Sequence, residues 1–167
     1  ILCRWSEVIP YHAELVLGGA LKPLVISLQY PSPLAHFYGA RAIACLSIHR
    51  QFRKSLIEEQ VIGAPLFALM RSRWPRVRRS ACRIACNLSR EASGALELMR
   101  SGGMSVGMSI ARAQSSKSDP LSMAYAEKAV ANMYQAWQLE EQTSEQEKES
   151  IRLLQVDACG EDEERLA

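Results

Sequence analysis

Apolar residues recur at three- and four-residue intervals along most of the chain, as in Leu24, Val25 and Leu28 and again in Leu66, Leu69 and Met70. That spacing puts them on one side of a helix. Other stretches are built from small residues: Ala40, Ala42, Ala44 and Cys45, then Ala81, Cys82, Ala85 and Cys86. Small side chains let neighbouring helices approach closely. Pro23 and Pro65 suit a first helical turn, where no amide hydrogen bond is lost. The pairs Gly18-Gly19 and Gly102-Gly103 break the pattern at junctions. No useful run alternates apolar and polar positions as a strand would. The pattern predicts an all-α chain.

The helical segments repeat. Pro23-Leu24-Val25-Ile26-Ser27-Leu28 aligns with Pro65-Leu66-Phe67-Ala68-Leu69-Met70 at an offset of 42 residues. The same offset carries Arg41 onto Arg83, Leu46 onto Leu88 and Ser47 onto Ser89. In a third unit the offset lengthens to 45, so that Lys128, Val130, Asn132 and Met133 follow Arg83, Ala85, Asn87 and Leu88. The extra residues fall in the polar stretch Gln114 to Pro120, which reads as a longer loop. A period in the low forties matches helical HEAT and armadillo arrays, and exceeds ankyrin or tetratricopeptide units.

Two segments resemble the armadillo repeat family. His12 to Val25 is similar to its junction, where one repeat ends at a glycine pair and the next begins. Ala81-Cys82-Arg83-Ile84-Ala85-Cys86-Asn87-Leu88-Ser89 resembles its third helix, ending in Asn-Leu. The likeness runs from about Val8 to Trp137 and singles out no member. It implies a right-handed α-solenoid of about three armadillo-like repeats. The expected organisation is a repeat domain over 1–138 and an acidic helical or disordered tail over 139–167. Repeats are expected at about 18–60, 61–101 and 102–138, after the end of an earlier one.

The resemblance also implies where a partner would bind. In peptide-binding members, an Asn late in the third helix faces a concave groove, flanked by a Trp one turn earlier. Here Asn87 and Asn132 match the Asn, while Cys45 stands in the first repeat. The preceding-turn positions hold Arg41, Arg83 and Lys128 instead of Trp. Residues four apart share a helix face, so Arg83 stacks with Asn87 and Lys128 with Asn132. Stacked repeats would align the three cations into one basic stripe, suited to an acidic or phosphorylated segment. Arg76, Arg78 and Arg79 would widen it, although cations at a helix start oppose the dipole.

Charge is divided along the chain. Arg71 to Arg90 carries seven arginines and no carboxylate, whereas the chain from Glu140 onward is rich in Glu and Asp. The formal net charge of +2 averages these two regions and decides nothing by itself. The Arg71–Arg83 cluster raises nucleic-acid association as the alternative to protein binding. Only Trp74 supplies an aromatic nearby, so protein binding is favoured. In the acidic end, Ile151, Leu153, Leu154 and Val156 form an apolar island. It reads as a fraying helix, a docking segment, or a cover for the basic stripe.

Catalytic and metal patterns fail on context. Gly103-Met104-Ser105-Val106-Gly107 fits the nucleophile-elbow spacing, but a helical segment precedes it and no His follows. Cys82 and Cys86 share a helix face without the further ligands zinc requires. His49 reads as a helix C-terminal residue favoured by the dipole. Asn87-Leu88-Ser89 spells a glycosylation acceptor within a packed helix. No enzyme activity and no cofactor is expected.

Five cysteines without a disulfide spacing favour an intracellular, reducing compartment. The cytoplasm fits, as does an organelle such as the mitochondrion, because the chain starts at Ile1 and a targeting peptide could precede it. No apolar run is long enough to span a membrane. Trp5, Val8 and Ile9 suggest an uncapped apolar end, which usually marks an interface. The expected role is a non-catalytic scaffold or adaptor, a subunit of a larger protein assembly.

Overall fold

A computed structural model describes residues 11–112 and 119–164, with side chains of the last helix as far as Lys148. Among these residues there are nine helices and no strand. They are α1 (His12–Leu17), α2 (Leu21–Ser27), α3 (Pro33–Leu46), α4 (Arg50–Glu58), α5 (Ala64–Met70), α6 (Pro75–Leu88), α7 (Ala92–Arg100), α8 (Gly103–Ala111) and α9 (Pro120–Glu164). The order short, short, long recurs three times. Two compact units divide the chain, Ile1–Met133 and Tyr134–Ala167. Trp5, Val8, Ile9 and residues 114–118 of the polar loop expected at 114–120 lie outside the described residues.

Each long helix opens on a proline at its first position: Pro33, Pro75 and Pro120, spaced by 42 and 45 residues. Proline there loses no hydrogen bond and arrives with a helical φ. Ser32 caps α3 by accepting the Ala35 amide at 3.4 Å. Asp119 does the same for α9 through the Ser122 amide.

In the first unit α3 lies along α6, each backed by the short helix before it, α2 on α3 and α5 on α6. The small residues make this approach possible: Ala40, Ala42 and Ala44 on α3, and Ala81, Cys82 and Ala85 on α6, are buried. Leu46, Leu88 and Met133 occupy one register of the three long helices, and all are buried. Truncating one of them to Ala would cost about 2–5 kcal/mol. Gly107 on α8 sits so close to α9 that a Cβ would lie 2.7 Å from Val130 Cγ2.

Two junctions use glycines with positive φ, Gly19 at 73° and Gly102 at 88°. In the middle junction Gln60 takes the left-handed conformation, at φ 57°, and Gly63 follows at φ 151°. Ser105 follows Gly102 in the first turn of α8 and donates to its carbonyl. The Gly-x-Ser-x-Gly run is therefore a helix start with no strand before it.

Arg53 of α4 is buried, its side chain only 5% exposed. It donates to the carbonyls of Ser47 and Ile48 and to Glu91 at 2.9 Å. The turn after α3 and the turn after α6 are thereby tied to one guanidinium. Each buried donor finds an acceptor, which is what makes a buried arginine tolerable.

The second unit is the continuation of α9. Tyr134 and Trp137 meet at 5.9 Å between ring centroids, and Lys148 pairs with Glu145. Residues 137–148 are all exposed, and the backbone stays helical to Glu164.

Candidate interaction surface

The long helices carry every residue expected to meet a partner. Arg41 on α3 and Lys128 on α9 are exposed, and Arg83 on α6 is half-buried. Asn87 and Asn132 are half-buried and turn toward the preceding repeat. Asn87 Nδ2 donates to Ser47 Oγ at 2.9 Å, and Asn132 Nδ2 donates to Ser89 Oγ at 3.0 Å. The serines follow the last residues of α3 and α6 and donate to Ala44 and Cys86 carbonyls. The asparagines thus join successive repeats, a use the sequence did not reveal.

Arg76 and Arg79 come together at the start of α6, where they border a groove of about 530 Å³. Its walls are Leu34 and Phe37 from the first turns of α3, and Trp74 and Val77 from the start of α6. Among the described residues no carboxylate lines it. Leu34 and Trp74 are 67% and 52% exposed. The Arg73 guanidinium lies 5.1 Å from the centroid of the Trp74 ring.

The arginines at this helix start have a counter-ion that sequence reading left in a loop. Asp119, 1% exposed, accepts from Arg78 Nη2 at 2.7 Å, Arg78 Nε at 3.1 Å and Arg79 Nε at 2.5 Å. The Ser122 hydroxyl donates to it as well. Arg78 also donates to the Ser72 carbonyl. Burial alone would raise the Asp119 carboxyl, but the bonds from Arg79 and Ser122 and the Arg78 charge hold it below the ordinary carboxylate value. The unfavourable dipole placement of Arg78 and Arg79 is offset by this carboxylate.

The remaining candidates fall away from the surface. Burial pushes the Cys82 thiol up to about 12 and raises the Cys86 thiol too, so both are packed as small hydrophobes. His49 is not a C-terminal helix residue. It precedes Arg50 at the N-terminal end of α4, where a cation is disfavoured. Burial, with the nearby His12 and Arg53, lowers its pKa, and its ring lies edge-on to His12 at 4.8 Å. Ser89 of the Asn-Leu-Ser triplet is buried. No helix among the described residues is long and apolar enough to cross a membrane.

No protein-family profile matches the chain, and no characterised protein matches it in sequence. Its fold has clear counterparts. An engineered protein of known crystal structure is similar at a TM-score of 0.71 and 20% identity, over 81% of this chain and 54% of that one. A designed armadillo repeat protein, solved in complex with the peptide (KR)4, is similar at 0.70 and 21%, over 81% and 59%. The chain spans little more than half the length of these two structures. The fold is an armadillo-like all-α solenoid, and the likeness identifies no family member.

Proposed function

We propose that the protein is a non-catalytic interaction scaffold or adaptor, a subunit of a larger assembly, that takes an acidic or phosphorylated partner segment on the face of its long helices. The observation that carries this reading is the groove between α3 and α6, apolar in its walls, bordered by Arg76 and Arg79 and, among the described residues, free of lining carboxylates. Arg41 on α3, Arg83 on α6 and Lys128 on α9 add positive charge to the long helices. Charge-assisted hydrogen bonds from guanidinium groups favour carboxylate and phosphate partners. The designed relative holds a peptide of Lys and Arg. On this chain the expected preference is reversed.

Fluorescence anisotropy with labelled (Glu-Asp)4 and (Lys-Arg)4 peptides tests it. The acidic peptide should bind and the basic one should not. Arg41→Glu, Arg83→Glu and Lys128→Glu together should weaken the acidic peptide more than tenfold. Undiminished binding by that triple variant sinks the stripe.

Nucleic-acid association is the second reading, favoured by exposed Arg71, Arg73 and Arg76 beside exposed Trp74. Against it, Trp74 is the one aromatic interleaved with the Arg71–Arg83 cluster. Generic RNA whose affinity exceeds that of the acidic peptide, and falls steeply with salt, would favour this second reading.

A further inference from the structure

We infer that the partner segment is acidic with one large apolar side chain, which enters the groove between α3 and α6 while adjacent carboxylates meet Arg76 and Arg79. This deepens the reading above and rests on it. The groove, about 530 Å³, is within the size range of small-ligand sites, and its walls are apolar. Leu34 and Trp74 stand exposed on helix starts that Pro33 and Pro75 fix, so the opening requires no rearrangement.

The two halves of the site require both chemistries at once. A uniformly acidic segment would leave the apolar walls wet. A purely apolar one would desolvate the Arg76 guanidinium without giving it an acceptor, which costs free energy. A Leu, Phe or Trp flanked by Glu or Asp satisfies both. Such an anchor in a pocket ringed by polar contacts is the usual form of an interface hot spot.

Arg79 is prepared for this role by Asp119. Their bond engages Nε, so a buried carboxylate holds the guanidinium of a residue that borders the groove. Ordering the side chain beforehand reduces the entropy lost on binding. Asp119 is in that sense a positioning residue for recognition.

The full chain can be titrated with three labelled probes: a Glu/Asp heptapeptide with a central Leu, the same peptide with a central Ala, and oligo(dT)8. The Leu peptide should bind about tenfold tighter than the Ala peptide, the gain expected for burying one such side chain. Leu34→Gln should remove that gain and leave the Ala peptide within about twofold, with thermal melting unchanged. Should Leu34→Gln lower the melting temperature, Trp74→Gln serves the same comparison. Equal affinity for the two peptides overturns the anchor and leaves the basic surface standing. No binding of either peptide overturns both readings. Tighter binding of oligo(dT)8 than of either peptide replaces the proposal with a nucleic-acid site.

Discussion

Asn87 donates its amide to the hydroxyl of Ser47, 2.9 Å away and 40 residues earlier in the chain. Ser47 passes the bond on to the Ala44 carbonyl at 3.0 Å. The pattern recurs one repeat later in Asn132, Ser89 and Cys86. The half-buried amide of each Asn thereby finds its partner in a buried serine of the preceding repeat, and the repeats are held in one register. Because one amide hydrogen of each Asn is engaged in this way, the asparagines act first as joints between repeats.

Asn87→Ala should therefore lower stability by about 1 kcal/mol, the net worth of a typical protein hydrogen bond. Ser47→Ala should behave similarly, and the double variant should cost less than the sum of the two. Urea denaturation gives all three values. Binding of an acidic peptide should change less than twofold in Asn87→Ala. A large loss of affinity with unchanged stability would instead make Asn87 a reader of the partner.

The carboxylate of Asp119 makes a second prediction about pH. Its folded pKa is held below the unfolded value of about 3.9. A depressed carboxyl contributes stability that is present above the unfolded pKa and is lost as pH falls through the folded one. The contribution is thus complete near neutrality and fades below about pH 4. Asp119→Asn should destabilise by about 2 kcal/mol at pH 7. That lies under the 3–5 kcal/mol for breaking a fully buried pair, because Arg78 and Arg79 can turn to water. Melting temperatures of parent and variant should converge below pH 4. Curves that stay parallel from pH 6 to pH 2 would remove Asp119 from the account.

Much of the fold was legible in the sequence because helix packing writes itself locally. The small-residue run from Ala81 to Cys86 and the offset joining Leu46 to Leu88 both reflect a helix surface pressed against a neighbour. The clearest marker went unused: Pro33, Pro75 and Pro120 stand at the first positions of the long helices, at the same spacings of 42 and 45 residues. The site was less legible. Asp119 sits in a polar stretch that composition assigns to a loop, and its partners lie 40 and 41 residues away. Arg53 likewise looks like surface charge until its three acceptors are assembled around it. Nor does periodicity show that Leu34 and Trp74 open onto one groove, since that depends on how α3 and α6 are set side by side.

Buried thiols offer a probe of local opening. The Cys82 pKa near 12 leaves almost no thiolate at pH 8, and its side chain is fully enclosed between helices. Alkylation with iodoacetamide followed by peptide mass mapping should modify half-buried Cys45 well before Cys82 and Cys86. Cys82 should become reactive only in denaturant, at the concentration where helicity is lost. Modification of Cys82 in native buffer at the rate of Cys45 would mean that α6 opens independently of the rest.

Gln60 provides a test of junction strain. Its φ of 57° is the only positive value among the described residues other than glycine. A side chain in that conformation costs about 1–2 kcal/mol, which glycine avoids. Glycine in turn loses more backbone freedom on folding, by about 0.5–1 kcal/mol. The balance favours substitution, since Gln60 is exposed and contributes little packing. Gln60→Gly should raise stability by about 0.5 kcal/mol, read as a small increase in the urea midpoint with an unchanged slope. Gly102→Ala, which imposes the same strain where glycine now relieves it at φ 88°, should move the midpoint the other way. If both substitutions shift it in one direction, backbone strain is not what distinguishes the junctions.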